Sequence, residues 1–162
     1  MNMRIALTIG IVVLGCSGPA RNPKAPADSA FAALQQRGAV AMGVDQYTSS
    51  HVFEPLADGG RIVLQRDSVD AAGTATVRAH LRDIATRFAA GDFTIPGMVH
   101  AQTVPGTVEM TARRTLLRYA FDTLPRGGQV RIITSDSVAL AAVRAFLQFQ
   151  RMDHRAGGHD HH

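Results

Sequence analysis

The architecture follows from one segment, His51-Val-Phe-Glu-Pro-Leu-Ala-Asp-Gly-Gly-Arg-Ile-Val-Leu-Gln-Arg66. Its two apolar runs, Val52 to Leu56 and Arg61 to Arg66, flank the sequence Ala57-Asp-Gly-Gly60. Asp-Gly is a strong turn signal because both residues tolerate positive φ angles. The segment therefore predicts an antiparallel β-hairpin, the unit from which we expect the sheet to be built.

Three further strands are predicted, at Thr107 to Ala112, Thr115 to Asp122 and Gln129 to Thr134. The sequence Pro125-Arg-Gly-Gly128 supplies a turn between the last two, which predicts a second hairpin. Both hairpins contain a Gly-Gly pair and precede a helical pattern. This repetition hints at an internal duplication, although the spacing after the two pairs differs.

Helical periodicity marks the segments that follow the hairpins. Thr74 to Ala90 carries an apolar stripe and ends before Gly91, a natural C-terminal stop. The stripe is Val77, Leu81, Ile84 and Phe88. A second amphipathic helix follows Ser135, a good N-cap residue. Its expected apolar stripe is Val138, Ala142, Ala145, Phe149 and Met152.

The alanine-rich segment Ser29 to Ala41 predicts a short N-terminal helix, with Phe31 and Leu34 on one face. The expected fold class is therefore α+β: an antiparallel sheet of about five strands built from hairpins, two long amphipathic helices and this short helix. The long helices most simply pack together on one face of the sheet.

The first fifteen residues have the pattern of an export signal. Arg4 supplies one positive charge, and the apolar run Ile5 to Leu14 is shorter than the ~20 residues that a membrane span needs. The run ends at Val13-Leu-Gly-Cys16, which resembles the lipobox of bacterial lipoproteins, with Leu14 where a smaller residue is usual. We expect 1–15 to be removed and Cys16 to be acylated.

The remaining chain divides into a lipidated flexible tether at 16–28, a single globular α+β domain at 29–155 and a disordered histidine-rich tail at 156–162. Several acyl chains on Cys16 would hold the domain firmly at a membrane. Ser17, rather than Asp, follows that cysteine, and by resemblance to sorted lipoproteins this favours the outer membrane, facing the periplasm.

Composition excludes several functions. The chain has 17 Lys and Arg against 13 Asp and Glu, and its arginines are scattered, so nucleic-acid binding is not expected. Cys16 is the only cysteine, which leaves no internal disulfide and no free thiolate after acylation. The chain contains no Gly-x-Ser-x-Gly elbow, phosphate loop or dinucleotide fingerprint. No catalytic residue is assigned, and the sequence does not support an enzyme.

Histidine and methionine provide the candidate binding site. If the chain around Met98 and His100 is a strand, the two side chains share a face, and Met110 lies in the next predicted strand. His51 opens the first hairpin on the same face as Phe53. Imidazole and thioether ligands together suit copper, and thioether is soft enough for Cu(I). His51, His100, Met98 and Met110 are therefore a candidate copper site, although methionines at such positions more often fill gaps in a core.

Other histidines have alternative interpretations. His80 adjoins the apolar stripe of its helix, which favours a buried, hydrogen-bonded structural residue over a metal ligand. His154 lies near a helix C-terminus, where the dipole favours a cation and predicts a capping role. The tail residues His159, His161 and His162 can capture metal weakly, or the tail has no function.

Several segments resemble a family of small uncharacterised exported bacterial proteins. They include Met42 to Gln46, His51 to Phe53, Arg78 to Leu81 and Phe146 to Gln150, and the likeness covers nearly all of the mature domain. Some members carry the name aspartate carbamoyltransferase. This chain lacks the Ser-Thr-Arg-Thr phosphate-binding pattern and is too short for two substrate domains, so the resemblance implies no activity.

The sequence thus predicts a membrane-anchored, periplasm-facing lipoprotein that binds a transition metal, with copper favoured. The alternative is an envelope module without metal or catalysis that binds a protein or small ligand through its sheet face. An enzyme of unknown chemistry is a third hypothesis.

Overall fold

A computed structural model of the chain describes residues 26–43 and 46–156, which form five α-helices and one antiparallel sheet of four strands. The predicted signal, Cys16, most of the tether and the tail histidines lie outside these residues. The helices are α1 (Pro26–Met42), α2 (Ala71–Ala89), α3 (Thr94–His100), α4 (Thr107–Ala112) and α5 (Ser137–Asp153). The strands are β1 (Ser49–Leu56), β2 (Gly59–Arg66), β3 (Arg118–Leu124) and β4 (Gly127–Ile133).

The sheet has the strand order β1-β2-β4-β3, so the two hairpins meet along their second strands. Both hairpins were predicted, and the α+β class is confirmed. The sheet has four strands rather than about five. No helix in the described part of the chain is long and apolar enough to cross a membrane.

The segment Thr107–Ala112, which was predicted as a strand, forms helix α4 instead. Gly106 is the N-cap of this helix, and its φ of 83° turns the chain sharply. A Cβ at this glycine would lie 2.2 Å from the carbonyl oxygen of Ala142, so the chain passes directly against α5. Six residues cannot distinguish an alternating pattern from a helical one, and here Met110 reaches the core from a helix.

Two more boundaries differ from prediction. The segment expected to be a strand from Thr115 instead begins within a 3-10 helix, Arg114–Leu116, and β3 starts at Arg118. The N-terminal helix α1 begins at Pro26 and so includes residues assigned to the tether. Pro is well tolerated at a first helical position because its missing N–H has no helical partner there.

The two long helices α2 and α5 cover one face of the sheet. The predicted stripe of α2 is confirmed, since Val77, Leu81, Ile84 and Phe88 are all buried. In α5 the cap is Asp136 rather than Ser135, and the side chain of Asp136 accepts a hydrogen bond from the Ala139 N–H. The predicted α5 stripe is correct only in part: Ala142 is buried and Phe149 is half-buried against the core, whereas Val138, Ala145 and Met152 are exposed. The buried residues of α5 are Ala139, Ala142, Val143, Phe146, Leu147 and Gln150.

The hint of duplication corresponds to an approximate two-fold symmetry. A shift of 68 residues maps the β1–β2 hairpin onto the β3–β4 hairpin with the register preserved, since Leu56 pairs with Gly59 as Leu124 pairs with Gly127. Ile62 pairs directly with Val130, its own equivalent, so the axis passes between these two residues.

Helices α2 and α5 are related by the same approximate two-fold symmetry, with a shift of 66 residues. Asp70 caps α2 through the Gly73 N–H, as Asp136 caps α5. Each helix crosses onto the hairpin of the other half: α2 packs on β3 and β4, and α5 packs on β1 and β2. Glycines allow this close approach, because a Cβ at Gly60 would lie 2.2 Å from Leu147 of α5.

Candidate functional site

Histidines from four elements line one small cavity beneath the sheet. They are His51 on β1, His80 on α2, His100 at the end of α3 and His154 just after α5. The cavity has a volume of about 80 Å³, which is enough for a few water molecules or a small ligand. Its other walls are almost entirely aliphatic and aromatic. The cavity therefore concentrates imidazole in apolar surroundings.

His51 lies on the inner face of β1, as predicted, and stacks on Phe53 with a centroid distance of 6.1 Å. Burial lowers its pKa to about 4, with a further lowering from nearby His80. Asp67 acts in the opposite direction but more weakly. At neutral pH the ring is therefore uncharged and can offer a nitrogen lone pair.

His154 is the C-cap of α5, and its ring stacks on His51 with a centroid distance of 5.3 Å and an interplanar angle of 17°. Its Nδ1 is buried and has no hydrogen-bond partner among the described residues. Burial lowers its pKa to about 3, and His51 and His100 lower it further. His154 thus takes the predicted C-cap position, but its lowered pKa disfavours the predicted cation, because desolvation opposes the attraction of the helix dipole for a positive charge.

His100 is held at both ring nitrogens. Its Nδ1 bonds to the carboxylate of Asp153, and its Nε2 lies 2.9 Å from Oε1 of Gln150. Its ring meets that of His154 edge-on, with a centroid distance of 5.0 Å and an interplanar angle of 89°. Fixed by α5 in this way, His100 orients His154. It would have to lose a hydrogen bond in order to bind a metal.

The two predicted methionine ligands are not brought to the cavity. Met98 and His100 lie in helix α3 rather than a strand, so a separation of two residues places them about 200° apart around the helix axis. Met98 is accordingly 60% exposed, whereas the His100 side chain is fully buried. Met110 is fully buried in the core from α4 and does not line the cavity.

His80 is half-buried and borders the cavity from α2. Burial lowers its pKa, although the nearby Asp83 acts in the opposite direction. The sequence predicted a buried, hydrogen-bonded structural residue here, and the structure shows His80 to be half-buried. Its proximity to His51 adds a third neutral imidazole to the edge of the site.

An open cleft of about 560 Å³ adjoins the cavity on its outer side. His51, Phe53 and His154 line both spaces, so these three rings form the wall between them. The cleft runs beside β1 and includes polar groups from Ser50 and Asp67, which are hydrogen-bonded to each other. Any ligand that approaches the histidine pair from solvent can do so through this cleft.

Within residues 26–43 and 46–156, no three His, Cys, Asp or Glu side chains are grouped so that they could hold a metal ion. The pair formed by His51 and His154 is smaller than such a group. One of its nitrogens, Nδ1 of His154, is available without the loss of a described hydrogen bond.

Sequence reasoning named His51 and His100 as ligands, gave His154 only a capping role and gave Gln150 and Asp153 no role. Gln150, Asp153 and His154 have the spacing i, i+3 and i+4, which places them on one face at the end of a helix. This signal was available in the sequence. The contact between His154 and His51 was not, because it depends on α5 crossing onto the first hairpin.

The candidate site rests on the geometry described above. No family model, curated protein or solved structure matches this chain. The resemblance to small exported bacterial proteins therefore stays a prediction.

Proposed function

We propose that this domain binds a transition metal, namely copper as Cu(I), between the imidazoles of His51 and His154. The observation that carries the proposal is the buried Nδ1 of His154, which has no partner among the described residues and lies in a ring stacked on His51. A buried polar nitrogen without a partner costs ~1–3 kcal/mol, so its presence calls for an explanation. Metal binding supplies one.

The chemistry of the pair suits a soft monovalent ion. Metal binding requires neutral imidazole, and the lowered pKa values of His51 and His154 keep both rings neutral well below pH 7. Cu(I) accepts two-coordinate sites, so two nitrogens are sufficient once the stacked rings of His51 and His154 turn so that their in-plane lone pairs meet at the ion. Apolar walls around the pair favour the lower charge of Cu(I) over Cu(II).

His100 serves this site as a positioning residue. Metal-binding histidines are usually oriented by an outer shell of hydrogen bonds, and the loss of such partners costs roughly 10–100-fold in affinity. The bonds from Asp153 and Gln150 fix His100, which in turn packs against His154. Met98 and Met110 have no part in this version of the site, because neither lines the cavity.

The proposal places the domain on a lipid anchor at Cys16, facing the periplasm from the outer membrane. The lipobox-like sequence and the proline-containing segment after it support this location. Mass spectrometry of the protein from its native host is expected to find acyl chains on Cys16 and no residues 1–15. An intact Met1 without fatty acid would overturn the location.

The metal site is tested with the full-length chain in which His159, His161 and His162 are replaced by Ala. Cu(I) affinity is measured by competition with a coloured Cu(I) chelator. His51→Phe and His154→Phe should each weaken binding by at least ~100-fold, more than the loss of an outer-shell partner. Met98→Leu and Met110→Leu serve as controls and should change affinity less than about twofold. Equal affinity in all five proteins would refute the site.

A second function is favoured by the apolar walls of the cavity, whose aliphatic and aromatic groups suit a small ligand without metal. In this alternative the chain is an envelope module that binds a small molecule. Xenon, as an apolar probe, would then bind the tail-substituted chain and raise its melting temperature, whereas Cu(I) would not. Filling the cavity by Leu64→Phe should abolish the xenon effect.

A further inference from the structure

The outer cleft follows the free edge of the sheet. The strand order β1-β2-β4-β3 makes β1 an edge strand, and no strand in the described part of the chain pairs with its outer side. Six consecutive residues of β1, Ser49 to Glu54, line the cleft. Side chains alternate between the two faces of a strand, so a space that contacts all six lies beside the edge rather than over one face. The cleft therefore opens onto the backbone of β1.

The backbone groups that point into the cleft belong to alternate residues. The carbonyl oxygen of Thr48 points toward the β2 side, since it accepts a hydrogen bond from the Asp67 N–H at 3.1 Å. Successive residues of an antiparallel strand direct their N–H and C=O groups to opposite sides. Those of Ser49, His51 and Phe53 consequently point outward. The edge thus offers a row of donors and acceptors to an added strand.

Pro55 ends this row. It is the next outward residue, but proline has no N–H to donate. Proline on an edge strand prevents unwanted pairing at its own position. Because Pro55 lies near one end of β1, residues 49–53 stay open to pairing over a length of ~17 Å. An added strand of about five residues fits this length.

The helix side of the cleft carries positive charge. Arg151, in the last turn of α5, and Arg155, just beyond that helix, both line the cleft, and both are exposed. The acidic residues of the cleft already have described partners. Glu54 is in an ion pair with Arg61, and Asp67 accepts a hydrogen bond from a hydroxyl of β1. The two arginines therefore favour an incoming chain that brings a carboxylate.

We propose that β1 accepts an extended peptide as an antiparallel fifth strand, and that the peptide directs an acidic side chain toward Arg151 and Arg155. In strand addition, main-chain hydrogen bonds supply affinity and alternate side chains supply specificity. A second copy of this chain is a poorer occupant, because its β1 would present Ser49, His51 and Phe53 on the helix side and no carboxylate. Copper is not required for this interaction, because it uses backbone groups rather than imidazole nitrogens.

The probe is the fluorescein-labelled peptide amide Thr-Val-Thr-Glu-Thr-Val-Thr, whose valines and glutamate share one face. Anisotropy measures its affinity for the full-length chain in metal-free buffer. In an antiparallel pair, residues that exchange both hydrogen bonds have their side chains on the same face. N-methylation of the valine and glutamate amides should therefore weaken binding by at least ~10-fold, whereas N-methylation of the threonine amides should not. Binding that survives methylation of the valine and glutamate amides would overturn the inference.

Charge reversal at Arg151 tests the helix side of the cleft. Arg151→Glu should weaken binding of the glutamate peptide by ~5-fold and should favour the same peptide with lysine in place of glutamate. Arg144→Glu is the matched control, because Arg144 is an exposed residue of the same helix that does not line the cleft. It should leave both affinities nearly unchanged. Equal affinity of the unaltered protein for the two peptides would refute an acidic partner.

Amide hydrogen exchange locates the contact. The peptide should slow exchange of the His51 and Phe53 amides, which point outward, and should leave that of Val52, which pairs with β2, unchanged. Protection of the two outward amides without peptide, increasing with protein concentration, would mean that a second copy occupies the edge and would overturn the inference. Because these measurements contain no metal, their failure would leave the copper site untouched.

Discussion

The two halves of the molecule fill equivalent positions with different chemistry. Where β1 meets the end of α5, the rings of His51 and His154 stack with a centroid distance of 5.3 Å. At the equivalent position between β3 and the end of α2, the rings of Tyr119 and Phe88 meet edge-on with a centroid distance of 5.9 Å. The same framework thus accepts two aromatic residues, which shows that the fold does not require histidines at this junction.

The difference is one of solvation as well as residue type. Phe88 is 1% exposed and packs against Phe93 and Phe146. Tyr119 also has a buried polar atom without a described partner, its hydroxyl, and burial raises its pKa. Tyr119 does not line the cavity, however, whereas His154 does. Among the residues that the structure describes, only the histidine half places a buried nitrogen without a hydrogen-bond partner where a ligand can reach it.

The largest effects on the free energy of unfolding are expected from substitutions of the glycines at the two hairpin turns. A Cβ at Gly59 would lie 2.0 Å from the carbonyl oxygen of Ile132, and one at Gly127 would lie 2.0 Å from that of Leu64. Gly59→Ala and Gly127→Ala should each lower the free energy of unfolding by ~3 kcal/mol or more, since a strand must shift. Gly59→Ala should be the worse, because φ there is 143°.

Urea denaturation measures both changes against Gly97→Ala. A Cβ at Gly97 meets only the carbonyl oxygen of Gln102, at 3.7 Å, so that variant should remain close to the unaltered protein. A small effect at Gly127 together with a large one at Gly59 would show that the two turns are not equivalent.

The next largest effect on the free energy of unfolding is expected from a histidine introduced into the apolar half. Phe88→His places an imidazole among the buried apolar side chains of the core and should cost ~3 kcal/mol of unfolding free energy, in the range of large core substitutions. Thermal and urea unfolding both report it. A cost below ~1 kcal/mol would mean that either half can hold a histidine, so the two halves would not differ in their tolerance of imidazole.

Acid should act on the histidine half. The pKa values of His51 and His154 are lowered to about 4 and about 3, whereas an unfolded histidine titrates near 6.5. Between pH 6.5 and 4 the unfolded chain therefore binds more protons than the folded one, and stability falls as the pH falls. Each histidine contributes a slope of up to ~1.4 kcal/mol per pH unit.

This slope is isolated by comparison with the variant that carries both His51→Phe and His154→Phe. The carboxylates are common to the two proteins, so the difference between their stability curves reports the two histidines. The unaltered chain should lose stability faster below pH 6.5. Parallel curves from pH 7 to pH 4 would mean that the two rings titrate normally in the folded state.

The smallest expected change is a gain. His154→Phe gives this position the residue type that is found at its symmetry equivalent, Phe88. It removes the buried unpartnered nitrogen, and we expect an increase of ~1 kcal/mol in unfolding free energy at pH 7. The same variant should lose Cu(I) affinity. A loss of stability instead would mean that His154 is required by the fold.

The sequence predicted those parts of the fold that local patterns determine. Asp58-Gly59 located the first turn, and the period of Val77 to Phe88 located α2 with the correct buried face. The α5 stripe was correct only in part because that helix is apolar on two sides, and only packing on β1 and β2 decides which is buried. The error at α4 has a similar origin, since its six residues fit two periods.

The site was less predictable than the fold. His51 and His100 were named as candidates from composition and from a strand pattern that is wrong for His100. Their convergence with His154 depends on contacts over about 50 to 100 residues, such as the bond between His100 and Gln150. Local spacing carries no information about such contacts, so the partner of His51 emerged only from the crossing of α5.

That crossing has a further consequence for how the protein holds together. Because α2 lies over the second hairpin and α5 over the first, each half shelters the apolar surface of the other. In oligomers, an exchange of this kind joins separate subunits and weakens on dilution. Here both participants belong to one polypeptide, so the exchange persists at any protein concentration.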